Sequence, residues 1–364
     1  MKILVFRIGQ LGDALVSVPV VRAVRALYPQ ARMDLLTDMK RDPNSVSVDK
    51  VFDGCGIFEN VFFYGSKERF LRNPLALAGT WLSLRKNGYD GLVYLAPNQR
   101  SGFQMRRDAL VFRSLGIKRI WGLSSSGRIL PSSRPLPRLP AEGRTLADRL
   151  IHDGLPISVD DFRFDLGISD GEYGALRGKL GQAWPGEGVR VYAACPFTAM
   201  PAKKWPLGRY IEVFRRLHKE QGLSPIFLGS KADGAEAEEL RRAIGIGYNF
   251  TGMSIRESAA IMRRCDFYLG NDTGTMHLAA AEGLRCVAVF SARTYPGIWE
   301  PPGSGHRILR TAVPCEGCEL THCVEHKMQC LDLIGADAVY EACESLLGTA
   351  GYPPGAQGPI AAGN

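Results

Sequence analysis

The sequence has little that would tie it to a membrane by insertion. No stretch approaches the roughly 18 consecutive apolar residues of a bilayer-crossing helix. Met1-Lys2-Ile3-Leu4-Val5-Phe6-Arg7 reads as a strand running into a glycine turn and not as a signal peptide. Cytoplasmic residence is therefore expected. The G-x-G-x-x-G spacing of dinucleotide binders is absent after that first strand. There is no recognised nucleic-acid module and no array of aromatics between basic residues, so nucleic acid is not an expected partner. No repeat of short fixed period occurs.

Acidic charge is scarce in the first half. Residues 1–165 hold 25 Lys and Arg against 16 Asp and Glu, a balance of +9; residues 166–364 hold 20 against 21, a balance of −1. A half of that kind suits an anionic partner such as phosphorylated lipid or a membrane face. A solvated surface that keeps the chain in solution reads equally well.

What is present describes a globular protein: 364 residues, 45% apolar and 23% charged, enough for two domains. Short apolar runs at 3–7, 32–37, 61–64 and 91–95 alternate with helical stretches, which predicts a parallel sheet with crossover helices. Pro19 inside the first helical stretch should kink or offset it. A proline-rich loop spans 131–140, and a helix from Arg144 should close the first domain. The pattern restarts with strands at 189–194, 225–229, 248–250, 266–269 and 286–290. An amphipathic helix follows the first of these, with Tyr210, Val213, Phe214 and Leu217 on one stripe and Gly222 as its stop. The domains are read as 1–170 and 188–335 joined by a linker region at 171–187 that includes one helix, Glu172 to Trp184. A helix at 336–348 should brace the first domain, and 349–364 should be a disordered tail.

Three turns collect polar groups at strand ends, where open α/β sheets place their functional residues. The first is Gly9-Gln10-Leu11-Gly12-Asp13. The second runs from Pro196 to Pro206 and supplies Thr198, Lys203 and Lys204. The third, Asn271-Asp272-Thr273-Gly274-Thr275-Met276-His277, leads into a helix that Asp272 or Thr273 can cap and Gly283 can stop. A helix start offers N–H groups and the positive end of its dipole to a phosphate. An ordinary capped turn has the same chemistry, and Asp13 equally reads as a cap. A further basic loop, Asn98-Gln99-Arg100-Ser101-Gly102, follows the strand at 91–95.

These turns, with Lys203-Lys204-Trp205-Pro206 and Asp272-Thr273-Gly274-x-x-His277 as the most specific pieces, resemble glycosyltransferase family 9, the lipopolysaccharide heptosyltransferases, over about 1–347. The resemblance implies a GT-B type α/β fold of two doubly wound Rossmann-like domains facing across a cleft. It also implies inverting, metal-independent transfer from an ADP-heptose-type donor to a lipid-linked saccharide acceptor at the inner face of the cytoplasmic membrane. It assigns Asp13 as general base on the acceptor hydroxyl, with Gly12 and Arg100 on the acceptor side. Lys203, Thr198, Thr273 and Gly274 are assigned to the donor phosphates. Asp272, His277, Asp233 and Met253 are assigned to the donor sugar and nucleoside, although Met253 also reads as core. A protein acceptor stays open. A nucleotide-sugar 2-epimerase would share the layout but needs catalytic histidines in both halves, and the first has only His152.

Nine cysteines include the cluster Cys315-x2-Cys318-x4-Cys323-x6-Cys330, with His322 and His326 inside it. Four thiolates can close a tetrahedral Zn or Fe site, whereas reduced, unmetallated thiols fit the spacing as well.

Overall fold

A computed structural model of the chain describes residues 1–38, 46–64, 74–97, 100–123, 141–158 and 166–347, with the side chains of 74–77 and 141–142 left aside. Asn98, Gln99, the 131–140 loop and the 349–364 tail lie outside the described residues. The chain divides into unit 1, Met1–Leu166, and unit 2, Gly167–Asn364.

Unit 1 contains β1 (Lys2–Phe6), α1 (Leu11–Leu27), β2 (Arg32–Asp38), α2 (Val48–Phe52), β3 (Asn60–Tyr64), α3 (Pro74–Asn87), β4 (Gly91–Tyr94), α4 (Gly102–Ser114), β5 (Arg119–Trp121) and α5 (Ala141–His152). The strands form one sheet in the order β3-β2-β1-β4-β5, with every ladder parallel. The chain leaves β1 toward β2 and later returns to the other side of β1 as β4. That reversal leaves a crevice at the carboxyl ends of β1 and β4, the place where such sheets bind ligands. Helix α1 runs continuously through Pro19. A proline inside a helix costs about 3 kcal/mol. Leu15, Val16, Val18, Val20 and Val21 around it are wholly buried, and each contributes about 1.5–3 kcal/mol.

Unit 2 contains α6 (Asp170–Leu180), β6 (Arg190–Cys195), α7 (Leu207–Gln221), β7 (Leu223–Phe227), α8 (Gly234–Ile244), β8 (Tyr248–Asn249), α9 (Ile255–Met262), β9 (Tyr268–Asn271), α10 (Gly274–Ala281), β10 (Cys286–Val289), β11 (Arg307–Leu309), α11 (Gln329–Asp332) and α12 (Ala336–Leu347). Its strands run β11-β10-β9-β6-β7-β8, again all parallel, with the reversal between β6 and β9. Helix α7 buries the four predicted apolar residues and ends at Gly222 in the left-handed conformation.

The helix expected inside the linker region is present as α6, which starts at Asp170 and ends at Leu180. It is tied to α9 by Arg256–Glu172 and Lys179–Glu257 ion pairs and to Arg263 through Asp170. Ser169 caps it, its hydroxyl accepting from Glu172 N. Helix α12 packs on α7, β10 and β11 of its own unit, because Val339, Tyr340, Cys343 and Leu346 give it one apolar stripe. Strands β5 and β11 were not anticipated; three residues are too few to show a period.

Candidate functional site

In unit 2 the switch point brings two of the sequence turns together. Lys203, in the single 3₁₀ turn Pro201–Lys203 after β6, reaches the end of β9. Its Nζ lies 2.6 Å from Asp272 Oδ2 and donates to the Asp272 carbonyl at 3.2 Å. Asp272 is 3% exposed. Directly before it, Asn271 is wholly buried and fully used. Its Oδ1 accepts from Trp205 N at 3.3 Å and from Tyr210 Oη at 3.0 Å, and its Nδ2 donates to the Pro196 carbonyl at 2.8 Å. One amide thereby locks the β9 end, the lysine turn and α7 in register. Gly270 makes the approach of β9 to β6 feasible, since a Cβ there would stand 2.5 Å from the Cys195 carbonyl oxygen.

Thr273 is the N-cap of α10 in extended conformation without a side-chain cap bond. Its Oγ1 lies 3.5 Å from Tyr268 Oη. The helix thus starts at Gly274; the Met276 N–H already donates to the Thr273 carbonyl at 3.1 Å, and the Gly274 and Thr275 N–H groups have no intrahelical acceptor. Thr198 Oγ1 accepts from Met200 N at 3.1 Å, which shapes the β6 turn. His277, on the inner side of α10, is buried and meets Trp299 edge-on at 6.1 Å. Asp233 sits past the end of β7, where its Oδ2 accepts from Ser230 N and Oγ, both at 2.7 Å. Met253 is half-buried in the loop before α9. Lys204 pairs with Glu236 at 2.6 Å.

In unit 1, Gly12 and Asp13 belong to the first turn of α1 and not to the loop. The N-cap is Gln10, and Asp13 Oδ2 accepts its N–H at 2.9 Å. Gly9 has φ +136°, and a Cβ there would come within 2.8 Å of Asp13 Oδ2. The residue missed by sequence reasoning is Arg7, which is 0% exposed. Its guanidinium donates to the Leu95 carbonyl at 2.6 Å and through Nε to the Asp13 carbonyl at 3.1 Å. It also lies 3.8 Å from Asp13 Oδ1. A lone charge closing an apolar strand was the available signal. Arg100 is engaged as well: it ion-pairs Asp108 and lies over the Phe6 ring at 5.7 Å.

Cys315, Cys318, Cys323 and Cys330 line one pocket of unit 2 with His326, Ser291 and Ala202, the residue before Lys203. Thr321 in that loop accepts the Ala202 N–H at 3.0 Å. Burial raises the Cys330 thiol, and the other three cysteines add to the shift. Among the described residues no three His, Cys, Asp or Glu side chains stand close enough to hold a metal ion as placed.

The family model "Glycosyltransferase family 9 (heptosyltransferase)" matches residues 81–329. Lipopolysaccharide heptosyltransferase 2 of Escherichia coli K12 is 26% identical over 330 residues, 85% of this chain and 88% of that protein. Among solved structures, a family 9 glycosyl transferase of Veillonella parvula superposes with a TM-score of 0.71 at 18% identity, covering 95% of this chain and 97% of the other. The E. coli ADP-heptose LPS heptosyltransferase II superposes with a TM-score of 0.68 at 22% identity, over 95% and 98%.

Proposed function

The chain belongs to glycosyltransferase family 9, and on that premise we propose that it transfers a heptose from an ADP-heptose-type donor to the lipopolysaccharide inner core, with inversion and without a catalytic metal. The observation that carries the reading is the Lys203–Asp272 bridge at the start of α10. It puts a cation and the free N–H groups of a helix start at one switch point, the chemistry a diphosphate requires.

In this reading the acceptor hydroxyl gives its proton to the Asp13 carboxylate as its oxygen forms a bond to the anomeric carbon. The bond from that carbon to the donor phosphate oxygen breaks, and the nucleoside diphosphate leaves with the electron pair. Attack from the face opposite the leaving group inverts the centre. Arg7, beside Asp13, holds the base in place. Lys203, Thr198 and the amides of Thr273 and Gly274 take up the charge that grows on the leaving group. Asp272 and His277 face the sugar, Asp233 offers Oδ1 to the ribose, and Met253 lines the base. Gly12 and Arg100 lie on the acceptor side.

No step runs through the cysteine pocket, which we assign to a structural Zn or Fe ion. The four thiols supply the donors, and their present spacing does not close the site. Elemental analysis of protein purified without added metal, with Cys318→Ser as control, tests it; equal metal in both removes the assignment. The protein is assigned to the cytoplasmic face of an anionic membrane as a peripheral enzyme. The transfer itself is tested by incubating ADP-heptose with a deglycosylated inner-core acceptor and following ADP release. A thermal shift with UDP-sugars and none with ADP-sugars would sink the donor assignment.

A further inference from the structure

Helix α4 buries Met105, Asp108, Ala109 and Phe112 on one side. Its opposite side is not the polar face that a surface helix usually presents. Phe103 is 77% exposed and Leu110 68%, and Val111 is exposed beside them. Positions 103, 107, 110 and 114 share one outward stripe at helical spacing. Arg107 lies within that stripe, Arg106 and Arg113 flank it, and all three are exposed.

The neighbouring α3 extends the same surface. Trp81 Nε1 donates to Ser114 Oγ at 2.9 Å, and Arg85 Nη1 donates to the Ser114 carbonyl at 3.0 Å. Helix α3 adds exposed Leu82 and the basic pair Arg85 and Lys86. Across both helices the single acid is Asp108. It is buried and accepts from Tyr94, Arg100 and Arg107, so no acidic side chain faces outward from either helix.

One exposed leucine needs no explanation. Exposed apolar residues set among cations, with no outward acid, are different, because they match a bilayer interface in both of its parts. The apolar centre fits the boundary between headgroups and acyl chains, and the guanidinium groups fit lipid phosphates. Helix α4 also follows directly from the carboxyl end of β4. Its first turn, with Phe103, Arg106 and Arg107, is therefore at the end of the sheet where Asp13 stands.

We propose that this face, the outward side of α4 continued by Leu82, Arg85 and Lys86 of α3, docks unit 1 on an anionic phospholipid bilayer. Phe103 and Leu110 enter the interface, and Arg106, Arg107 and Arg113 meet the phosphates. The purpose of the docking rests on the proposed lipid-linked acceptor, which would then be presented at the end of the sheet that holds Asp13. The docking itself requires neither donor nor turnover.

The test is co-sedimentation of the full chain with vesicles of phosphatidylglycerol and phosphatidylethanolamine, and with phosphatidylcholine vesicles alone. Wild type should bind the anionic vesicles and release them in high salt. F103S/L110S should weaken that binding about tenfold. R106Q/R113Q should weaken it about 25-fold, at about fivefold per arginine. Val324→Ser, at an exposed apolar position of unit 2, should leave it unchanged. All five substituted positions are exposed, so melting temperature should hold. Binding by F103S/L110S equal to wild type overturns the proposal. So does a wild-type dimer that F103S/L110S turns into monomer with vesicle binding untouched, since the face would then join two copies. Transfer to a delipidated, soluble acceptor separates the two readings. F103S/L110S should keep that activity, and vesicle binding that follows these expectations in a protein inactive toward every acceptor would fail the transfer reading alone.

Discussion

Lys203 and Asp272 meet across 69 residues of sequence, the ammonium bonded to the carbonyl and 2.6 Å from the carboxylate of the same aspartate. The bridge spans the reversal of strand order between β6 and β9. Because Asp272 is nearly inaccessible, the lysine both neutralises a buried charge and stands beside the amides of α10. In the proposed reading, stability and donor binding therefore draw on the same side chain.

Lys203→Ala leaves the Asp272 carboxylate buried without its cation, and a loss of about 3 kcal/mol is expected in denaturant unfolding. The K203A/D272N double variant should recover a good part of that loss because no charge is stranded. Donor-induced thermal stabilisation should stay absent in both. Recovery of donor binding in the double variant would show that Lys203 serves stability only.

Asp13→Asn keeps the shape of the side chain and removes the proton acceptor. A fall in kcat of about 10²–10⁴ is expected, with KM little changed. The same residue bonds the Gln10 N–H, so stability should drop by up to about 1 kcal/mol. Unimpaired kcat would take Asp13 out of the chemistry.

Asn271→Leu removes three bonds at once and leaves the Trp205 N–H, the Tyr210 hydroxyl and the Pro196 carbonyl buried without their partner. Each stranded group costs about 1–3 kcal/mol, so a loss of at least about 3 kcal/mol is expected. Asn271→Asp should cost less but still destabilise, since it sets an oxygen against the Pro196 carbonyl. Urea midpoints read both effects.

His306 gives unit 2 a pH dependence. Its Nδ1 lies 3.0 Å from the Cys286 N–H, which donates to it, so Nε2 carries the proton and donates to the Pro302 carbonyl at 2.9 Å. Burial lowers its pKa below the ordinary value of 6.5, and the Pro302 bond offsets only part of that. The folded state therefore binds fewer protons than the unfolded one. The contribution is complete above pH 6.5 and is lost as pH falls through the folded-state value. Melting temperature should decline as pH falls below 6.5 in wild type and decline less in His306→Gln.

Much of the fold was legible because its signals are local. The stripe of α7, its glycine stop and the strand–turn–helix around Asn271 are each read from neighbours a few residues apart. Arg7 was not legible as a clamp, since its partner Leu95 is brought to it only by the pairing of β1 with β4, and the Asp13 carbonyl only by the turn that folds α1 back on the strand end. Nor was the role of Asn271, whose partners come from the Pro196–Pro206 turn and from α7. The cysteine spacing announced a cluster, but not that it would border the lysine turn.

The residue pattern by itself determined two rounds of alternating strand and helix, and the polar turns at their strand ends, because periodicity and capping act within one element. Only the folded chain decided which turns share a crevice. That choice belongs to the parallel ladders: strand order puts β9 beside β6 and β4 beside β1, and hydrogen-bond partners so far apart leave no mark on the composition of either strand.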